Sequence, residues 1–212
     1  MFTGLIIALL AVVGAGVVVW GGMNVLASRS DRALPDGDTK LLGAGSDTPL
    51  LERTVRDVRV GDVIQRDGAD WVVEGVVQYD EDGHRWRGAR LDDGARERWM
   101  LVGLDRGGAA TVRWLVERED VQITGYPPEA LAVDGATFRQ NTRGTATARV
   151  MGDAGSLEPT APEGPDSVTR CRWWSYSAAG SATLVVEQWG DAYRVLHGER
   201  LRPDDIELMP GS

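Results

Sequence analysis

Asp70-Trp71-Val72-Val73-Glu74-Gly75-Val76-Val77-Gln78-Tyr79 decides how this chain reads. Trp71, Val73, Val77 and Tyr79 fall on alternate positions, which predicts one shared apolar face, with Glu74, Gln78 and Asp80 opposite. That period of two marks a half-buried antiparallel strand. Asp67-Gly68 and Asp82-Gly83 bracket the stretch, and Asp93-Gly94 and Gly107-Gly108 follow it. Such pairs favour hairpin turns because their residues reach positive φ at little cost. Strand-like segments fill the intervals at 62–66, 84–91, 96–104 and 111–117.

Tyr126-Pro127-Pro128 interrupts the series. Strands are then expected at 137–140 and 145–150, on either side of a turn at Asn141-Thr142-Arg143-Gly144. Residues 158–165 form a loop too rich in proline for a central strand. Segments 172–177, 183–189, 192–196 and 206–209 complete the set. Arg85-Trp86 and Arg98-Trp99-Met100-Leu101-Val102 parallel Arg172-Trp173 and Leu184-Val185-Val186-Glu187-Gln188-Trp189. Two readings stand side by side: a duplicated β unit with halves 55–125 and 131–210, or the ordinary recurrence of Trp and Val in sheets.

Residues 4–26 are uncharged and almost wholly apolar. At 1.5 Å per residue they make a helix of roughly 35 Å, enough to cross a hydrocarbon core of about 30 Å. The run is too long for a signal-peptide core, and no basic residue precedes it. Arg29 and Arg32 follow it, so the positive-inside bias places the C-terminal part in the cytoplasm. The expected organisation is a transmembrane anchor at 1–27, a flexible linker at 28–50 and a β-rich domain at 51–212. The fold class is therefore mainly β: a single N-terminal transmembrane helix followed by an antiparallel β-sheet domain. The expected location is the inner (plasma) membrane, crossed once.

The formal charge is −9, and every ionisable side chain lies beyond the apolar run. An acidic domain argues against nucleic acid, whose binders usually present a basic face. It also argues against broad attraction to anionic headgroups. Cys171 is the only cysteine, so no internal disulfide or thiolate metal cluster can form. His84 and His197 lack a ligand pattern around them, and Asp80-Glu81-Asp82-Gly83 lacks both key carboxylates of a calcium loop. No phosphate-binding loop, dinucleotide fingerprint or nucleophile elbow is present. No cofactor, metal or catalytic residue is therefore expected; Glu117 or Glu187 serving a hydrolase is the remote alternative.

Seven of the eight tryptophans lie outside the apolar run. Most sit in strand patterns and read as core; an aromatic binding platform is the alternative. Trp173-Trp174 stands apart, since neighbours in a strand point to opposite faces. If one ring is left exposed, that pair is the candidate partner-binding site.

Val60-Gly61-Asp62-Val63-Ile64, Trp71-Val72-Val73, Arg98-Trp99-Met100-Leu101-Val102 and Trp114-Leu115 occur in a recognisable order. Trp174-Ser175-Tyr176, Leu184-Val185-Val186-Glu187-Gln188-Trp189-Gly190-Asp191 and Leu201-Arg202-Pro203-Asp204-Asp205-Ile206 continue it. Together they resemble the bacterial domain-of-unknown-function family 4178 across roughly residues 55–210. The resemblance implies no activity. It implies an accessory role among membrane-stress systems, beside phage-shock-type proteins. The expected function is a membrane-anchored β-rich interaction module, with the bilayer met through residues 4–26 and other membrane-associated proteins as partners. An extracytoplasmic domain binding glycan or lipid is the alternative.

Overall fold

Turn chemistry at Asp67-Gly68, Asp82-Gly83 and Asp134-Gly135 sets the hairpins. In the computed structural model each of these pairs has both residues at positive φ, between 51° and 87°. This turn's twist matches the twist of the strands it joins. The structure describes residues 53–107, 111–155 and 168–211. The expected transmembrane helix, the linker and the proline-rich loop at 158–165 lie outside the described residues. Among the described residues no helix is long and apolar enough to cross a membrane.

Among the described residues eleven strands form the domain. The first five are β1 (Val63–Arg66), β2 (Ala69–Glu81), β3 (His84–Asp92), β4 (Glu97–Val102) and β5 (Val112–Glu117). They are followed by β6 (Ala130–Val133), β7 (Ala136–Gly152), β8 (Thr169–Ser177), β9 (Ala182–Trp189), β10 (Ala192–Leu201) and β11 (Glu207–Met209). Eight of them close a barrel in the order β2-β3-β4-β5-β10-β9-β8-β7, with β7 returning to β2. Every pairing is antiparallel. The barrel is thus two four-strand meanders joined along two seams, β5/β10 and β2/β7. Each meander follows a short strand and an Asp-Gly turn: β1 and Asp67-Gly68 in one, β6 and Asp134-Gly135 in the other.

A β-bulge corrects the reading of Asp70–Tyr79. Register shifts between Val73 and Gly75, so one extra residue reverses the alternation. Trp71 and Val73 consequently face the outer layer, while Val77 and Tyr79 face the barrel interior. A second shift falls between Gln140 and Thr142, inside β7. The expected turn at Asn141-Thr142-Arg143-Gly144 is therefore no turn: a single strand runs through it, bent at the bulge. Each bulge lies seven residues beyond the Asp of its turn.

Three packed clusters result. The barrel interior holds Val77, Tyr79, Trp86, Trp99, Leu101, Leu115, Trp173, Val185, Trp189 and Leu196. Outside the first meander, Ile64 and Trp71 cover Ala89, Met100, Val112 and Trp114. Outside the second, Val133 and Phe138 cover Trp174, Tyr176, Leu184, Val186 and Val195. Sheets buried on both faces explain near-continuous apolar runs such as Leu184-Val185-Val186. All seven described tryptophans are buried, so the core reading holds for them.

The two ends of the described domain meet at Asp62, a residue only 2% exposed. Its carboxylate takes Arg53 Nη2 at 2.5 Å, the Arg59 amide at 2.7 Å and the Gly211 amide at 2.9 Å. Burial opposes its charge, but these donors hold its carboxyl below the usual range.

Closure along β5/β10 depends on Gly198, paired with Leu115. A Cβ at Gly198 would collide with the Trp114 carbonyl oxygen, a backbone atom that cannot step aside. Gly198→Ala is expected to cost about 1–3 kcal/mol or more, as overpacking does. Urea denaturation of wild type and variant measures it.

Candidate functional site

Trp173 and Trp174 take opposite faces of β8, as the pleat requires. Trp173 enters the barrel and meets Trp86 edge-on, with centroids 5.5 Å apart. Trp174 points outward, yet Tyr126 meets it edge-on at 5.5 Å and it packs among Val133, Phe138 and Val186. Neither indole is exposed. The expected exposed anchor is corrected, because the connection around Tyr126-Pro127-Pro128 and β6 folds over that face. The Tyr176 hydroxyl pins the connection by donating to the Pro128 carbonyl at 2.9 Å.

Inside the barrel, Glu187 on β9 lies opposite Arg194 on β10. Glu187 Oε2 accepts from Arg194 Nη2 at 2.5 Å and from Trp189 Nε1 at 3.0 Å. Its Oε1 accepts from the Tyr79 hydroxyl at 2.9 Å. The Arg194 guanidinium carbon stands 3.9 Å from the Trp99 ring centroid, a desolvated cation–π contact. Burial drives the Tyr79 phenol well above its ordinary value, and the Glu187 charge adds to the effect. Burial and Glu187 do the same to the Cys171 thiol. Both groups are therefore protonated at neutral pH, and Cys171 is a packing residue. Glu187, with both oxygens engaged, holds the strands rather than presenting a base to a cleft. Glu117 lies on β5 opposite Leu196, at the far end of its own strand. Among the described residues no group of three or more His, Cys, Asp or Glu could hold a metal ion.

On the outer face of the first meander, Trp71 and Trp114 meet edge-on at 5.4 Å and 83°. Arg66 lies over Trp114 at 5.0 Å, and Arg96 and Arg98 lie over Trp71 at 5.0 and 5.6 Å. Arg66 pairs with Glu199 at 2.7 Å and with Asp67 at 3.1 Å. Arg96 pairs with Asp93 at 2.5 Å. Arg98 forms no ion pair among the described residues; its Nη1 donates to the Glu97 carbonyl at 2.7 Å. Burial, with Arg96 nearby, holds its pKa below the ordinary arginine value. These side chains line an open groove of about 290 Å³. An arginine with an unspent charge on an aromatic floor can receive a carboxylate or phosphate. Sequence reasoning used Arg98-Trp99 only as a strand signal and overlooked the groove. Its arginines come from β1, the Asp93-Gly94 loop and β4, and only the closed sheet brings them together.

The second meander has a counterpart. Phe138 and His197 meet edge-on at 5.2 Å and 85°, four residues beyond Asp134 as Trp71 is beyond Asp67. Arg118 pairs with Asp134 at 2.5 Å and approaches His197 Nδ1 at 3.3 Å. That approach needs the lone pair of a neutral imidazole. Burial lowers the His197 pKa, with Asp134 opposing and Arg118 assisting.

Residues 59–203 match the family described as Domain of unknown function (DUF4178). Uncharacterized proteins of Mycobacterium bovis and of two strains of Mycobacterium tuberculosis are similar to the chain. Each is 25% identical over 158 residues, spanning 73% of this chain and 73% of the relative. No solved structure matches it.

Glu187→Ala, which strands Arg194 in the core, is expected to cost about 3–5 kcal/mol. Glu187→Leu combined with Arg194→Met should recover only the part due to the stranded charge, since the Tyr79 hydroxyl and Trp189 Nε1 still lose their acceptor. Denaturant titration of the variants decides. His197 gives a pH prediction. Its folded pKa is lowered, so the unfolded chain binds the proton more readily. Stability should decline as pH falls below the unfolded value near 6.5, and His197→Gln should remove that part of the slope. Melting curves between neutral and mildly acidic pH measure both.

Proposed function

The chain belongs to the family described as Domain of unknown function (DUF4178), a description that names no activity, and from the geometry we propose a recognition module that binds other proteins and performs no chemistry. The observation that supports it most is Arg98, half-buried over Trp71 and without an ion pair among the described residues. The groove receives an acidic side chain or short acidic segment of a partner. Arg and Trp dominate interface hot spots because they combine a large contact area with a directional charge. The sealed Glu187 network supports the non-catalytic side of the reading, since a base must reach its substrate.

The module is held at the inner membrane by residues 4–26 and displayed on the cytoplasmic side through the linker at 28–50. Its described part descends from a duplicated unit, supported by matching turns, matching bulges and matching ring pairs in the two meanders. The resemblance to a family found in membrane-stress neighbourhoods favours an accessory role there. The alternative of a glycan platform built on exposed tryptophan gains nothing, because the described tryptophans are buried.

Capture of the intact protein from carbonate-washed membranes tests the reading. Arg98→Glu should retain the wild-type melting temperature while losing co-purifying partners by tenfold or more. Identical partner sets from both proteins would sink the groove, and absence from the washed membranes would sink the anchor.

A further inference from the structure

The seam between β2 and β7 relates the meanders by an approximate two-fold axis, and the pairing across it places side chains in matched positions. Arg85 pairs with Asp80, Asp80 with Thr147, and Thr147 with Arg170, making one row across β3, β2, β7 and β8. Arg87 lies opposite Gln78 on one side, and Arg172 lies opposite Thr145 on the other. Position 85 therefore corresponds to 170, and 87 to 172. Away from the Asp-Gly turns several matched positions differ: Trp86 against Cys171, Asp80 against Thr147, Trp71 against Phe138. At both outward pairs the residue is arginine.

These side chains stand on the outer wall of the barrel, where neither β1 with β11 nor β6 covers it. Arg85, Arg170 and Arg172 are exposed. Arg87 is half-buried, with Nη1 donating to the Val58 carbonyl at 3.0 Å. Arg149, also exposed, sits between the pairs opposite Gln78. Among the described residues of these rows the carboxylate is Asp80, bound to Arg85 at 2.7 Å. In a chain of formal charge −9, the described residues of this wall are predominantly basic.

We propose that this arginine face docks on an anionic lipid surface, its matched guanidinium pairs taking the phosphodiesters of acidic headgroups. The row spans three strand spacings, roughly 14 Å, which suits an extended charged surface better than one small anion. These rows carry no aromatic residue of their own, the nearest exposed ring, Tyr126, is engaged by Trp174 and Arg143, and the face has no helix to enter a duplex groove. Exposed Val168, beside Arg170, adds an apolar contact at the rim. Net charge predicts repulsion from such a surface, but screening within about 10 Å leaves the nearest face to decide. The groove of Arg98 lies on a different wall, and docking does not depend on it. Nor does docking require the anchor at 4–26, which would only raise the local concentration.

Arginine modification by phenylglyoxal, read by peptide mass spectrometry on the full-length chain, tests the proposal. The chain is labelled with excess vesicles of phosphatidylcholine, or of equal parts phosphatidylcholine and phosphatidylglycerol. Labelling of Arg85, Arg87, Arg170 and Arg172 should fall several-fold on the acidic vesicles and return at high salt, while exposed Arg59 and Arg139 stay unchanged. Equal labelling on the two lipids overturns the proposal. So does stronger protection by a single-stranded oligonucleotide at equal phosphate, which would assign the face to nucleic acid. Failure of the anchor shows separately, as chain left unbound by the neutral vesicles.

Discussion

The bulges at Glu74 and Asn141 are the constraint from which the architecture follows. A strand presents alternate residues to two faces, and one inserted residue exchanges those faces. Before its bulge, β2 places Trp71 and Val73 over the outside of the first meander; beyond it, the strand places Val77 and Tyr79 inside the barrel. β7 does the same with Phe138 and then Ala146 and Ala148. Two long strands thus serve both as barrel wall and as part of the outer cover, and each meander is buried on both sides. Without the bulges, Trp71 and Phe138 could not share an outer layer while Tyr79 reached Glu187.

Polar groups inside the barrel fix which rings sit where. Glu187 receives hydrogen bonds from Tyr79, Trp189 and Arg194, drawn from β2, β9 and β10. An apolar interior of equal volume could be as stable, since buried ion pairs roughly cancel their desolvation cost. What the network adds is geometry: Arg194 is set on the Trp99 ring, and Tyr79 is stacked on Trp86 at 5.0 Å.

Much of the β character was legible in the sequence, because Asp-Gly turns and short apolar runs carry local causes. Strand positions for β1 to β5 and β8 to β10 follow directly from them, and the parallel between Arg98–Val102 and Leu184–Trp189 maps onto β4 and β9, the third strands of the two meanders. What local reading misses is whatever depends on register. The bulges were invisible, so Trp71 was given the wrong face and β7 was cut in two. β6, with the short Ala130-Leu131-Ala132-Val133, went unread beside its prolines, and so did the cover it places on Trp174. The Arg66–Arg96–Arg98 groove and the matched pairs Arg85/Arg87 and Arg170/Arg172 assemble only when strands distant in sequence become neighbours. Net charge averaged them away.

Asp62 gives the domain a mechanical character. Residues 53 and 211 are tied to one buried carboxylate, and β1 lies against β11, so entry and exit of the chain share one corner of the barrel. Tension arriving along the N-terminal side would load Arg53 and this clasp first. The hydrogen-bond ladders of β2 to β5 and β7 to β10 would be spared until the clasp gave way.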